Sequence, residues 1–257
     1  MKDKIVGRPI KLNQQTLQVR KDNYAEMVVI SDIHLGSPQC DRQRFENMIS
    51  FCLHKKIYVL LLGDALESAT RDSVGAGIYE QESIVEKQYE EMLTYLTPLA
   101  KAKLIVGLHL GNHELRIFKS TGYNISKALA RELSIPYLGD ACWSLFRVGH
   151  QSYSIRSFHG VTGARFEGTC LLALERIAAS FSGDAVICGH SHKCINSSVI
   201  VQYVNHGQVK EQKKFLVICG SFLKYGGYAE QAGLPISKLG SPKLKLMSTT
   251  HDIHVSW

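Results

Sequence analysis

The sequence predicts an α/β fold in which two mixed β-sheets face each other and helices cover their outer sides. Two observations lead to this prediction. Short apolar runs alternate with helical periodicity in the first half of the chain, and strand patterns follow one another directly in the second half. The 257 residues can bury a sizeable core, and we find no internal repeat or long linker among them. We therefore expect residues 1–257 to form one domain.

In the first half, buried strands alternate with amphipathic helices. Continuous apolar runs predict strands at residues 27–30, 58–62 and 103–108. Apolar side chains at helical spacing predict helices at residues 45–52, 85–99 and 125–133. Residues 65–84, with Gly75 and Gly77, are predicted to form a loop above the strand ends, where ligands bind in such folds.

In the second half, one helix is predicted among several strands. The helix is placed at residues 171–181, with Thr169 as its N-cap. Strands are predicted at residues 152–158, 184–188, 197–204, 214–219 and 244–255. Because most of these strands are neighbours in sequence, we expect this half to be antiparallel.

Composition excludes several classes of protein. With 45% hydrophobic and 21% charged residues, the chain is not a disordered one. No apolar run approaches the roughly 18 residues that a membrane span needs. The seven cysteines form no CxxC pair and several lie in apolar runs, which favours a reducing compartment, and we expect a cytoplasmic protein. The net charge of +7 permits an anionic partner such as nucleic acid, although a solvated basic surface explains it equally well.

Five short polar motifs follow predicted strands. They are Ser-Asp-Ile-His at 31–34, Gly-Asp at 63–64, Gly-Asn-His-Glu at 111–114, His-Gly at 159–160 and Gly-His-Ser-His at 189–192. Since residues i and i+2 of a strand face the same side, Asp32 with His34, and His190 with His192, are expected to point into one pocket. The neighbouring glycines allow sharp turns and close approach of the backbone. Histidines, aspartates and an asparagine that converge in this way indicate a metal centre.

The number of candidate ligands indicates two ions. Four histidines, two aspartates and one asparagine are too many for one ion, whereas two ions that share a carboxylate would each receive four protein atoms. Mixed imidazole and carboxylate ligands suit transition metals, so Mn²⁺ is the expected ion, with Fe, Zn²⁺, Co²⁺ or Ni²⁺ as alternatives. Two divalent ions and two aspartates leave a net charge of about +2, which favours binding of a phosphate group.

The motifs DxH, GD, GNHE, H and GHxH, in this order, resemble those of the calcineurin-like metallophosphoesterases. The resemblance extends from Asp32 to His192, about two-thirds of the chain. It implies a sandwich of two mixed β-sheets flanked by helices. By position it implies that one metal is bound by Asp32, His34 and His192, that the other is bound by Asn112, His159 and His190, and that Asp64 bridges them. It further implies that His113 assists the leaving group and that Glu67 orients His113.

The function implied by this resemblance is metal-dependent hydrolysis of phosphomonoester or phosphodiester bonds, in which a metal-held hydroxide attacks phosphorus. One alternative is a DNA or RNA nuclease that resembles the double-strand-break repair nuclease. A second is a non-catalytic scaffold on the same fold. The expected partner is a phosphate ester, with a nucleotide or nucleic acid among the options and no membrane. Substrate identity and oligomeric state do not follow from the sequence.

Several residues beside the motifs have ordinary structural explanations. Glu114 is predicted to support a helix N-terminus rather than the chemistry. Arg116, Arg165 and Lys193 could contact phosphate, although basic side chains are more often simply solvated. His109 has no ligand partner at a suitable spacing and is assigned a structural role.

Overall fold

The computed structural model describes residues 11–71, 73, 77–160 and 162–257. In these residues the strands are β1 (Leu12–Leu17), β2 (Tyr24–Ile30), β3 (Tyr58–Leu61), β4 (Ile105–His109), β5 (Tyr137–Gly139), β6 (Ala141–Val148), β7 (Gln151–Phe158), β8 (Ala185–Cys188), β9 (Ile195–Asn205), β10 (Gln208–Ile218), β11 (Lys243–Met247) and β12 (Ile253–Ser256). The helices are α1 (Arg42–Lys55), α2 (Val85–Lys101), α3 (Asn112–Thr121), α4 (Ile125–Glu132), α5 (Glu167–Ala178) and α6 (Tyr228–Gln231).

The strands form two mixed sheets of six strands each. The first sheet has the order β1-β6-β7-β8-β10-β9, and the second has the order β12-β11-β2-β3-β4-β5. In the second sheet, β2, β3, β4 and β5 are parallel, and β11 runs antiparallel to β2. The predicted α/β fold with two mixed sheets and flanking helices is confirmed.

Three layers of apolar side chains hold the sheets and helices together. In β2, Met27 and Val29 pack between the two sheets, whereas Val28 and Ile30 pack against the helices that cover the second sheet. A smaller cluster, which includes Leu174, joins α5 to the outer face of the first sheet. The alternation along β2 explains its continuous apolar sequence, because both faces of this central strand are buried.

Loops that follow strands of both sheets run side by side at one edge of the sandwich. The backbone N–H groups of Ile33 and His34 donate to the carbonyl of Asp64 at 2.8 and 3.0 Å. The N–H of Gly189 donates to the carbonyl of His159. These hydrogen bonds join the segment after β2 to that after β3, and the segment after β8 to that after β7, while the N–H of His190 donates to Asp32 Oδ2 and connects the two pairs.

Several boundaries differ from the predictions. The predicted strand at 244–255 is two strands, β11 and β12, separated by a turn. The last helix of the sequence prediction begins at Glu167 and ends at Ala178, with Phe166 as its N-cap, so Thr169 lies inside its first turn. The second half is not purely antiparallel, because β8 is parallel to both β7 and β10. In the predicted loop at 65–84, Gly77–Tyr79 form a short 3-10 helix, while Gly75 lies outside the described residues.

Candidate metal centre

The candidate ligands after β2 and β8 lie beyond the ends of their strands, in left-handed backbone conformations. Asp32 and His34 have φ angles of 54° and 52°, and His190 and His192 have φ angles of 67° and 56°. The expected i, i+2 alternation of a strand is therefore wrong here, since β2 ends at Ile30 and β8 at Cys188. The left-handed turns bring the paired side chains into one pocket instead, and such strained conformations concentrate at functional sites.

Two glycines allow the close approach of these loops. A Cβ on Gly111 would lie 2.0 Å from the backbone nitrogen of Asp64. A Cβ on Gly189 would lie 2.0 Å from Ser31 Oγ and 2.7 Å from Asp32 Oδ2. Any larger residue at either position would push the loops of the candidate site apart.

Asp32, His34 and His192 form the first group of potential ligands. Asp32 Oδ1 lies 3.3 Å from His192 Nε2 and 3.9 Å from His34 Nε2. Asp32 Oδ2 accepts a hydrogen bond from the backbone N–H of His190 at 2.9 Å, which fixes the carboxylate. Oδ1 of Asp32 and Nε2 of His34 are both buried and have no hydrogen-bond partner among the described residues. Buried polar atoms are normally paired, and a cation held between these two atoms would satisfy both.

Asp64, His159 and His190 form the second group. Asp64 Oδ2 lies 3.2 Å from His159 Nε2 and 3.8 Å from His34 Nε2, so this carboxylate stands between the two groups. Asn112 Oδ1 lies 2.8 Å from His159 Nε2 and adds an oxygen to this group. The structure thus brings all seven predicted ligands to one place.

Two of the histidines are oriented by hydrogen bonds at their other ring nitrogen. Nδ1 of His34 lies 3.0 Å from Glu67 Oε2, and Nδ1 of His159 lies 3.0 Å from the carbonyl oxygen of Leu62. Donation of Nδ1–H to these oxygens leaves Nε2 as a lone-pair donor that faces the centre. Histidines that bind metal ions in proteins are commonly oriented in this way.

Glu67 contacts His113 but lies closer to His34. Its Oε1 is 3.4 Å from His113 Nδ1, whereas its Oε2 is 3.0 Å from His34 Nδ1. The backbone carbonyl of Glu67 is also 2.8 Å from His113 Nδ1. Glu67 therefore joins a potential ligand to the predicted catalytic histidine, a double role that the sequence analysis did not anticipate.

His113 is within reach of the second group and lines the same cavity. Its Nε2 lies 3.9 Å from Asp64 Oδ2, so His34, Asp64 and His113 form a further cluster compatible with a metal ion. Arg116 lies against the His113 ring, with Nη2 donating towards Nε2 at 3.0 Å. Arg116 also donates to Ser73 Oγ at 3.3 Å, so it supports His113 in addition to facing the cavity.

The two aspartates of the site are held in their charged form. Burial alone would raise the pKa of Asp32, but His192 and His159 together outweigh it and lower the pKa to about 2. Burial is likewise outweighed at Asp64, where His159 and His113 hold the pKa well below its ordinary value. Burial opposes protonation of His159, yet Asp64 raises the pKa of this imidazole to about 10. The negative charge of the site thus attracts cations, and in their absence it attracts protons.

Glu114 has a larger role than the predicted helix N-terminus. It is buried, and its Oε2 accepts hydrogen bonds from the backbone N–H groups of Gly111 and Asp64 at 3.1 Å each. Its Oε1 accepts from the N–H of Leu66 at 2.9 Å. Glu114 therefore fastens the loop that carries Asp64 to the start of α3. The helical capping position was visible in the sequence, but the partners in the loop after β3, about fifty residues earlier, were not.

A cavity of about 500 Å³ opens directly over the candidate ligands. Its lining includes polar and basic groups, among them Arg116, Arg165 and Lys193. The lining also includes Leu223 and Tyr225, together with further apolar residues. The site is therefore accessible to a small molecule that carries both anionic and apolar parts.

Comparison with known proteins adds only distant likenesses. No family model and no curated protein matches the chain. A Streptococcus pneumoniae protein described as a predicted phosphoesterase is 14% identical, with a TM-score of 0.40, over 90% of this chain and 88% of its own. Vacuolar Protein Sorting 29 from Cryptosporidium parvum is 16% identical, with a TM-score of 0.44, over 91% and 98%. Vps29 from Entamoeba histolytica, solved with Zn²⁺, is 15% identical, with a TM-score of 0.39, over 90% and 97%.

At these identities and TM-scores, the likenesses assign neither a ligand nor an activity to this chain. Among the described residues, no helix is both long enough and apolar enough to span a membrane. Functional inference therefore depends on the geometry of the site itself.

Proposed function

We propose that this chain is a metal-dependent phosphoesterase that uses two divalent transition-metal ions. The observation that carries the proposal is the meeting of two ligand groups at Asp64, one formed by Asp32, His34 and His192 and the other by His159 and His190. Ligands of mixed nitrogen and oxygen character suit Mn²⁺, Fe, Zn²⁺, Co²⁺ or Ni²⁺, and Mn²⁺ is the ion we expect.

Two features of the donor set support a resident cation. The buried atoms Asp32 Oδ1 and His34 Nε2 face each other at 3.9 Å with no hydrogen-bond partner among the described residues. An ion held by both atoms would satisfy them. Asn112 Oδ1 would complete the second group, and Asp64 would be shared between the two ions.

When bound, the ions would supply positive charge for the phosphoryl oxygens and a water nucleophile at neutral pH. The contribution of the chain itself is positioning and proton transfer. His113 donates Nδ1–H to the backbone carbonyl of Glu67 at 2.8 Å. Its Nε2 accepts from Arg116 Nη2 in this structure, so Nε2 would carry a proton for the leaving oxygen once Arg116 turns from it to the phosphoryl group. Burial opposes protonation of His113, but Asp64 and Glu67 raise the pKa of its imidazole, which favours the protonated form.

A substrate panel with the Mn²⁺-loaded protein tests this proposal. The panel compares aryl phosphate monoesters and diesters, cyclic nucleotides, nucleotides, and single- and double-stranded DNA and RNA. We expect turnover of small phosphate esters, because the cavity of about 500 Å³ fits a ligand of that size. Activity should disappear on chelation and return when metal is restored.

The panel also separates the two alternatives. Preference for nucleic acid, with affinity that falls steeply as salt is added, would indicate a nuclease. A metal-loaded wild-type protein that is inert on every substrate would contradict the phosphoesterase proposal and favour a non-catalytic scaffold.

A further inference from the structure

Lys193 differs from the other basic residues of the cavity because it is buried. It follows His192 directly in the chain and lines the same cavity, yet only 5% of its surface is exposed. The sequence analysis left Lys193 as either a phosphate contact or a solvated side chain, and its burial excludes the second of these. A lysine with this degree of burial ordinarily has a counter-charge, because desolvation of an ammonium group is costly.

The described part of the chain provides no such counter-charge. Nζ of Lys193 donates to Ser237 Oγ at 2.8 Å, and no carboxylate of a described residue lies within ion-pair distance of it. An ammonium group has three hydrogens to donate. This single contact uses one of them and leaves two without an acceptor among the described residues. Lys224, at the same cavity, is by contrast exposed and paired with Asp41 at 3.4 Å.

We propose that Lys193 binds a second anionic group of the substrate, carried by the molecule beside the phosphoester that is cleaved. This inference rests on the proposed function, because it places the reacting phosphoryl group at the candidate metal ligands. Lys193 lines the same cavity as the candidate ligands, so a group bound to Nζ would share that cavity with the phosphoryl group. The substrate class is then a small phosphoester with an additional phosphate or carboxylate.

Charge and size both fit this substrate class. Lys193, Arg116 and Arg165 line the cavity and provide positive charge beyond that of the metal ions. A volume of about 500 Å³ accommodates two linked anionic groups together with an apolar portion against Leu223 and Tyr225. Ser237 holds the ammonium in place, so little side-chain entropy is lost when an anion binds.

A purely structural role for Lys193 makes a different prediction. Its bond to Ser237, together with the contact of Cys194 Sγ with the carbonyl of Lys238 at 3.1 Å, could simply fix the segment around residues 237–238. Loss of that structural role would lower the stability of the protein or weaken the binding of all ligands by the same factor. Only an anion-binding role changes the preference between ligands with one and with two anionic groups.

Two non-hydrolysable ligands test this preference directly by calorimetry on the Mn²⁺-loaded protein. Methylphosphonate carries one anionic group and methylenediphosphonate carries two. We expect wild type to prefer the second, and Lys193→Met to lose about 10- to 100-fold in affinity for it, the size of a charged hydrogen bond, with little change for the first. Lys193→Arg should retain most of the preference, and the exposed lysine variant Lys127→Met, on α4, is the matched control.

The outcomes separate this inference from the function on which it rests. If Lys193→Met loses affinity for both ligands by the same factor, or loses none, the proposed role of Lys193 is overturned. Methylphosphonate binding by wild type would still support a metal-bound phosphoryl site in that case. If wild type binds neither ligand although it holds its metal, both proposals fail.

Discussion

At the scale of single residues, His113 decides between two types of site. Its Nε2 is 3.9 Å from Asp64 Oδ2, close enough for a metal cluster, and its ring also contacts Glu67 and Arg116. As a proton donor it would matter most for leaving groups that need a proton. As a ligand it would matter for every substrate, because metal would be lost.

His113→Asn should retain both metal ions and lose activity selectively. A nitrophenolate leaves readily without a proton, whereas the alkoxide of a sugar or nucleoside does not. Because general-acid assistance contributes ~10²–10⁴-fold, the loss on alkyl phosphate esters should exceed the loss on nitrophenyl esters by a similar factor. Steady-state kinetics on both ester types, with metal analysis of the variant, provide the measurement.

Two other results would reassign His113. Equal losses on both ester types with unchanged metal content would make it a phosphate-binding residue. Loss of a metal ion would make it a ligand.

Glu67→Gln should affect metal binding as well as catalysis. Glu67 Oε2 accepts from His34 Nδ1 at 3.0 Å, and replacement of such a carboxylate behind a metal-binding histidine typically costs ~10–100-fold in metal affinity. Its weaker contact with His113 should add a small bias against alkyl esters. Metal titration of the variant beside Glu90→Gln, an exposed carboxylate on α2, measures the first effect. Unchanged metal affinity would show that Glu67 does not support His34.

At the scale of secondary-structure elements, the continuous apolar strands were predictable and the polar elements were not. Strands β2, β3 and β4 are buried on both faces, which produces uninterrupted apolar runs. Strand β1, with the sequence Leu-Asn-Gln-Gln-Thr-Leu, has only Leu17 buried, and α3 buries only Glu114. Neither buries an apolar face, so the signal of continuous apolar burial that predicted the central strands is absent from both.

The attachment of α3 to the loop after β3 depends on Glu114. Glu114→Ala would leave the N–H groups of Gly111, Asp64 and Leu66 without their acceptor, each at a cost of about 1–3 kcal/mol when buried. We expect the free energy of unfolding to fall by ~3 kcal/mol or more, together with metal affinity. Glu114→Gln keeps one acceptor oxygen, so its free energy of unfolding should lie between those of wild type and Glu114→Ala. Urea unfolding of the three proteins measures the series, and an Ala variant as stable as wild type would contradict this account.

His109 joins the two sheets and should make stability depend on pH. From β4, its Nε2 lies 2.8 Å from Ser157 Oγ of β7, while its Nδ1 lies 2.9 Å from the carbonyl of Gly139. Burial lowers the pKa of His109 from 6.5 to about 3, so the folded protein keeps this imidazole neutral where the unfolded chain is protonated. The unfolded state therefore binds more protons between these two values, and stability is lost as the pH falls below 6.5.

His109→Asn removes this titration. The advantage of wild type over the variant in free energy of unfolding should shrink by about 2 kcal/mol between pH 7 and pH 5, at roughly 1.4 kcal/mol per pH unit. Urea unfolding at both pH values measures the difference. Parallel pH profiles for the two proteins would show that His109 titrates alike in the folded and unfolded chain.

At the scale of the whole molecule, the sequence predicted which residues lie close together but not the backbone conformations that bring them there. Polar motifs after parallel strands converge because such strands end at one edge, and this topology was predictable from the order of strands and helices. The left-handed conformations of Asp32, His34, Asp64, His190 and His192 were not, because tertiary contacts between loops impose them. The burial of Lys193 also depends on a distant segment, at Ser237.

The central claim is that two ions share one site through Asp64, and metal analysis tests it most directly. Wild type loaded with Mn²⁺ and freed of excess metal should contain two ions per chain. Asp64→Asn should weaken the binding of both, because Asp64 Oδ2 faces His34 of one group and His159 of the other. Asp22→Asn, at an exposed carboxylate, should retain two ions. One ion per chain in a fully active protein, or wild-type affinity for both ions in Asp64→Asn, would contradict the claim.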